Sequence, residues 1–177
     1  MMKCMVVYSS KTGNTKIIAE AIHKALPQDT ELYPVENAPS SDHYDFIAVG
    51  GWVDKGMPDE AIQNYMQKIH KKSIGIFLTL GAYPDSQHAA ESLQKACELL
   101  NDNTILGSFI CQGKVDPKLI EMMAKMTKDK PEHPHAMNDE RKARLAEAAK
   151  HPNDQDCRNA AETFKKMIEE LKGQSNA

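Results

Sequence analysis

No apolar stretch in the 177-residue sequence approaches the length of a membrane span, and the apolar start is too short and too quickly interrupted to be a signal peptide. A soluble, cytoplasmic protein is the expectation. Runs of like charge are missing too, and the formal net charge of -3 is mild, so neither nucleic acid nor a membrane is expected as a partner. Cysteine is sparse and scattered: Cys4, Cys97, Cys111 and Cys157 form no C-x-x-C and no His–Cys pairing at metal spacing. They are expected to be reduced thiols, mostly packed as small hydrophobes in strands or on an apolar helix face. G-x-x-x-x-G-K-[ST] and G-x-G-x-x-G are both absent, which removes the usual nucleoside triphosphate and dinucleotide loops. Nothing forms a Ser–His–Asp or Cys–His set. His133 and His135 beside Glu132 lack a third ligand in fixed relation, and Pro134 forces them into an extended spacing, so no metal is expected.

What the chain does have is a junction near its start. Residues 4–15 read C-M-V-V-Y-S-S-K-T-G-N-T, an apolar run set against hydroxyl, amide and glycine residues. Cys4, Met5, Val6, Val7 and Tyr8 are continuous rather than alternating, as in a strand buried on both faces of a parallel sheet. From Asn14 onward Ile18, Ala21, Ile22 and Ala25 recur at helical spacing. Residues 9–13 therefore form a tight strand-to-helix turn. The free N–H groups of the first helical turn and the helix dipole favour an anion there.

The rest of the chain repeats this alternation. Glu31 to Val35 is a short strand whose Pro34 puts it at a sheet edge, since proline cannot donate to a ladder. Asp45 to Gly51 is a buried strand, followed by a helix from about Pro58 with Ile62, Tyr65, Met66 and Ile69 on one face. Ser73 to Leu80 is the next strand, then a helix marked by Ala89, Leu93, Ala96, Cys97 and Leu100, then a fifth strand from Thr104 to Cys111. A last helix from about Asp154, capped by Asn153, carries Ala160, Ala161, Phe164, Met167, Ile168 and Leu171. The pattern predicts an α/β fold, a doubly wound five-stranded parallel sheet of order 2-1-3-4-5 in a single domain spanning 1–177. Residues 113–151 are extra: a helical insertion before the last helix, with one helix over Asp116 to Met126 and a second capped by Asn138. Ligands of such sheets bind beyond the carboxyl ends of the strands, so the loops 9–15, 51–57 and 81–87 matter most.

The second of these loops holds the only tryptophan, in G-G-W-V-D-K-G-M-P-D, and the third reads T-L-G-A-Y-P-D-S-Q-H. Trp52 and Tyr83 at neighbouring strand ends are suited to stacking on a flat ring whose phosphate lies in the first loop. The phosphate loop S-K-T-G-N-T, the two aromatic loops and the segment Q-G-K-V-D-P-K together resemble the flavodoxin family, and more narrowly the flavodoxin-like proteins of anaerobic bacteria. The resemblance spans nearly the whole chain. It implies non-covalent FMN, with Ser9, Ser10, Lys11, Thr12, Gly13, Asn14 and Thr15 around the phosphate. Gly51, Trp52, Val53, Asp54, Lys55 and Gly56 would come from the second loop, and Leu80, Gly81, Ala82, Tyr83 and Asp85 from the third, with Trp52 and Tyr83 flanking the isoalloxazine. In flavodoxins a peptide beside flavin N5 turns over on reduction, a freedom that Gly56 supplies; the alternative is that Gly56 caps a turn before the next helix.

The resemblance implies an electron-transfer protein working between redox partner proteins, a reductase and an acceptor. The alternative is an FMN-dependent NAD(P)H reductase of a quinone or other small acceptor. The chain departs from ordinary flavodoxins in two ways. It is far less acidic, with Lys55 beside the expected ring, and it carries the Met-rich 113–151 extension, read as a docking surface, a lid or two helices that pack on the domain edge.

Overall fold

The computed structural model describes residues 1–175. β1 (Cys4–Tyr8), β3 (Phe46–Asp54), β5 (Ser73–Leu80) and β6 (Thr104–Gln112) join β2 (Glu31–Pro34) in a parallel array of order β2-β1-β3-β5-β6. A two-residue strand, β4 (Met57–Pro58), adds to it by pairing antiparallel with the end of β3. The five parallel strands thus have the expected order, and β4 is a sixth strand that the sequence pattern did not reveal. Pro34 lies on the outermost strand, paired with Tyr8, where its missing N–H costs nothing.

Strand alternation sorts the apolar residues onto two faces. Cys4, Val6, Tyr8, Phe46, Ala48 and Phe77 pack against α1 (Asn14–Ala25) and α6 (Asp154–Ser175) through Ile18, Ala19, Ile22, Ala160, Phe164, Met167 and Ile168. Met5, Val7, Ile47, Val49, Ile74, Ile76 and Leu78 pack on the other side against α2 (Glu60–Met66) and α3 (Gln87–Leu99) through Ile62, Met66 and Ala96. Both faces of each central strand are therefore buried, which is why these strands read as continuous apolar runs. Phe164 anchors the first face. Its ring lies over Gly75 and meets Phe46 and Phe77 edge-on at centroid distances of 6.5 and 5.9 Å.

α2 begins at Glu60 rather than near Pro58. Lys55 and Gly56 both have positive φ, 50° and 78°, the signature of a two-residue type I′ hairpin, and that hairpin returns Met57 and Pro58 onto Asp54 and Val53. Residues that look like a helix start thus become a strand.

The insertion forms α4 (Pro117–Thr127) and α5 (Asp139–Ala148): Asn138 is the expected N-cap of α5, accepting from the Arg141 N–H, and Asp116, read as the first residue of its helix, is instead the N-cap of α4, accepting from the Lys118 N–H. Met123 turns inward, its sulfur accepting from an Arg141 Nη2 donor at 3.0 Å. Met126 is exposed, along with Leu119 and Met122. Among the described residues no helix is long and apolar enough to cross a membrane.

Candidate functional site at the carboxyl edge of the sheet

The turn after β1 is shaped by Gly13, the N-cap of α1, at φ 98°. That left-handed conformation suits glycine, and a Cβ there would meet nothing within 4 Å, so the approach to the helix end is open. The N-cap of α1, a glycine, offers no side-chain cap, and the first turn carries no acidic residue, whereas the first turns of α5 and α6 do. The Ser10 hydroxyl holds the turn closed by accepting from the N–H groups of Gly13 at 3.2 Å and Lys16 at 3.3 Å. Thr12 and Lys11 are both exposed, with the Lys11 ammonium 5.4 Å from the centroid of the Trp52 ring.

The hydroxyl cluster that the sequence groups together is divided by the fold. Thr15 is buried and its hydroxyl is 2.9 Å from that of Thr79 on β5, so its side chain serves the helix–sheet interface and its backbone N–H faces the turn. Ser9 is buried as well, and its hydroxyl donates to Asp59 Oδ2 at 2.6 Å. Asn14 reaches sideways, donating to the Lys114 carbonyl at 2.9 Å.

The second stretch, Gly51, Trp52, Val53, Asp54, Lys55 and Gly56, is the end of β3 and its hairpin rather than a loop. Trp52 is half-buried at a position paired with Thr79. Gly51 is needed for close approach: a Cβ there would lie 2.3 Å from Asp59 Oδ1. The third stretch runs from buried Leu80 through Gly81 and Ala82 to Tyr83, which is 38% exposed, and Asp85. The Tyr83 carbonyl accepts from both the N–H and the hydroxyl of Ser86, the N-cap of α3, which fixes the turn from which the ring projects.

Two contributors were not singled out from sequence. One is Asp59, a buried carboxylate that accepts from Ser9 and, at 3.2 Å, from the Trp52 N–H. Desolvation raises its pKa, opposed by those hydrogen bonds. From the sequence it is an acidic residue against the positive end of a helix starting near Pro58. The other is the segment after β6. The Gly113 N–H donates to the Leu80 carbonyl at 2.9 Å, Val115 packs on Gly81, and Lys114 meets Asn14, so residues 113–115 bridge the first and third loops. The Q-G-K-V-D-P-K block was the available signal.

Hollows of about 210 Å³ beside α6 and 310 Å³ beside α2 are lined by residues of none of these loops. The four thiols are unpaired, and burial pushes Cys4 up to about 11 and Cys111 further, which makes both poor nucleophiles at neutral pH.

Residues 5–165 match the family model described as a flavodoxin domain. The chain is 34% identical over 172 residues to the flavodoxin-like domain-containing protein BilS of Clostridioides difficile (strain CD3), covering 94% of this chain and 97% of that one. Among solved structures, the two-electron reduced flavodoxin of Megasphaera elsdenii superimposes with a TM-score of 0.53 at 17% identity, over 92% of this chain and 98% of the other. The flavoprotein of Lactobacillus acidophilus NCFM, solved in complex with FMN, also gives a TM-score of 0.53 at 17% identity, over 62% of this chain and 93% of its own.

Proposed function

Since the chain belongs to the flavodoxin family, we propose that it binds one FMN at the carboxyl edge of the sheet and works in the cytoplasm as an electron carrier between redox proteins. The observation that carries this reading is the convergence of an acid-free helix N-terminus with Trp52 and Tyr83 on the ends of adjacent strands. The residues fit the group. A phosphate needs backbone N–H donors, room and no competing carboxylate, and the turn around Gly13 offers all three.

On this reading the phosphate is held by N–H groups of residues 10–15 with the hydroxyls of Ser10 and Thr12, while Lys11 adds positive charge. Ser9 and Thr15 act indirectly, their hydroxyls committed to Asp59 and Thr79. Trp52 and Tyr83 supply the ring-stacking surfaces, and the backbone of residues 51–56 and 80–85 faces the polar edge. FMN, when bound, supplies the one- and two-electron chemistry; the protein supplies position and electrostatics. The I′ hairpin at Lys55–Gly56 presents backbone that is conformationally adjustable at Gly56.

The partners are proteins. Ile17, Tyr83 and, along α4, Leu119, Met122 and Met126 are exposed apolar side chains, and α4 leads directly out of the 113–115 bridge. Basic residues outnumber acidic ones over 113–151, while the remainder of the chain is net acidic. A partner with carboxylates around an apolar centre complements this surface.

The test is to titrate FMN into the flavin-free protein and follow quenching of flavin fluorescence, then to mix the loaded protein with NAD(P)H. A carrier takes up FMN and keeps its yellow colour with the nicotinamide. Bleaching within seconds identifies the reductase instead, and failure to quench FMN rejects both.

A further inference from the structure

The side chain of Asp59 does something unusual for its place. An aspartate at a helix N-cap ordinarily accepts from its own helix. Here the Asp59 carboxylate takes backbone hydrogen bonds from Ile62 and from its own N–H and also reaches the neighbouring strand ends, Oδ2 accepting from the Ser9 hydroxyl and Oδ1 from the Trp52 N–H. The Asp59 N–H also donates to the Trp52 carbonyl at 2.9 Å, so Asp59 and Trp52 are tied in both directions. The carboxylate is 4% exposed and, among the described residues, no lysine, arginine or histidine lies within ion-pairing distance of it. A buried carboxylate without a cation is costly and persists where its hydrogen bonds hold it. Gly51 leaves the space it occupies.

We propose that Asp59 is a positioning residue that latches the β1–α1 turn to the Trp52 stretch, so that the phosphate-holding and ring-holding parts of the site are set as one unit. In its consequence for FMN this rests on the function proposed above; in its consequence for Trp52 it does not. Ser9 is the other half of the latch. Its side chain turns away from the anion and acts through Asp59.

The latch predicts coupled effects. In Asp59→Asn one oxygen can still accept the Trp52 N–H, but the amide nitrogen cannot accept from Ser9; Asp59→Ala loses both bonds. At a temperature where thermal melts show every variant fully folded, FMN affinity should fall by about tenfold or more in Asp59→Ala, the size of a charge-assisted hydrogen bond. Asp59→Asn should lie between Asp59→Ala and wild type. The double variant Ser9→Ala/Asp59→Ala should bind no more weakly than Asp59→Ala alone, because both changes open the same bond. Independent, additive losses, or an Asp59→Ala affinity within about twofold of wild type, overturn the proposal. Trp52, the only tryptophan, gives a readout that needs no flavin. Acrylamide quenching of its emission should rise in Ser9→Ala and Asp59→Ala, and unchanged quenching in both refutes the latch. A wild-type protein that takes up no FMN rejects the flavin reading, while the tryptophan measurement still decides the latch.

Discussion

Replacing Gly51 with alanine inserts a methyl group at the most crowded point of the site. The new carbon would lie 2.3 Å from Asp59 Oδ1 and 2.7 Å from Ile62 Cγ2, so the carboxylate, the helix behind it or the strand has to move. If the carboxylate yields, at least one of its bonds to Ser9 and Trp52 opens, and together with overpacking against Ile62 the expected cost is about 2–4 kcal/mol. Gly56→Ala is the control. Its φ of 78° is unfavourable for alanine, but the nearest atoms to the added carbon are Lys95 Nζ at 3.4 Å and His88 Cε1 at 3.5 Å, an ordinary contact. Its cost is conformational, about 1–2 kcal/mol. Urea denaturation followed by Trp52 emission gives both values, provided the slopes match wild type. FMN affinity should drop in Gly51→Ala and stay close to wild type in Gly56→Ala, in which only the one-electron potentials move if the Gly56 peptide turns over on reduction. A Gly51→Ala variant no less stable than Gly56→Ala would show that the Asp59 carboxylate is not held where its hydrogen bonds imply.

Three further outcomes are expected. Thr15→Val strands the buried Thr79 hydroxyl and should destabilise by about 1–3 kcal/mol, whereas Thr15→Val/Thr79→Val, with both partners apolar, should recover most of the loss in the same denaturation assay. His151 lies 2.6 Å from Asp156 Oδ2 and 3.2 Å from Glu147 Oε1, joining α5 to α6, and its pKa is raised chiefly by the Asp156 bond, against desolvation and with help from Glu147. Its stabilisation is therefore full below the ordinary value of 6.5 and fades as pH rises through the raised value, so the stability difference from His151→Gln should shrink with increasing pH; a constant difference refutes the linkage. Electron transfer from the reduced protein to an acidic ferredoxin should slow as salt is added, more steeply than transfer to basic cytochrome c, and the reverse order would reject the acidic partner.

Much of the architecture was legible in the chain because it depends on local periodicity. The unbroken apolar runs at 4–8, 46–49 and 74–78, each leading toward a 3.6-residue pattern, report strands covered on both faces, and Pro34 names the edge. Position along a strand then places residues 9–15, 51–56 and 80–85 at one end of the sheet without reference to any contact. What periodicity cannot convey is where a short polar side chain points once strands lie side by side. Ser9 and Ser10 are neighbours in sequence, yet one hydroxyl turns to Asp59, fifty residues away, and the other closes the turn around Gly13. Pro58 reads as the start of a helix because nothing local reports that the positive φ of Lys55 and Gly56 will fold Met57 and Pro58 back on β3. The sequence by itself determined the sheet, its order and which loops gather at its carboxyl end. Only the tertiary structure decided which polar side chains, like those of Ser9, Thr15 and Asp59, are tied to distant parts of the fold, because the satisfaction of buried polar atoms depends on partners brought together across it.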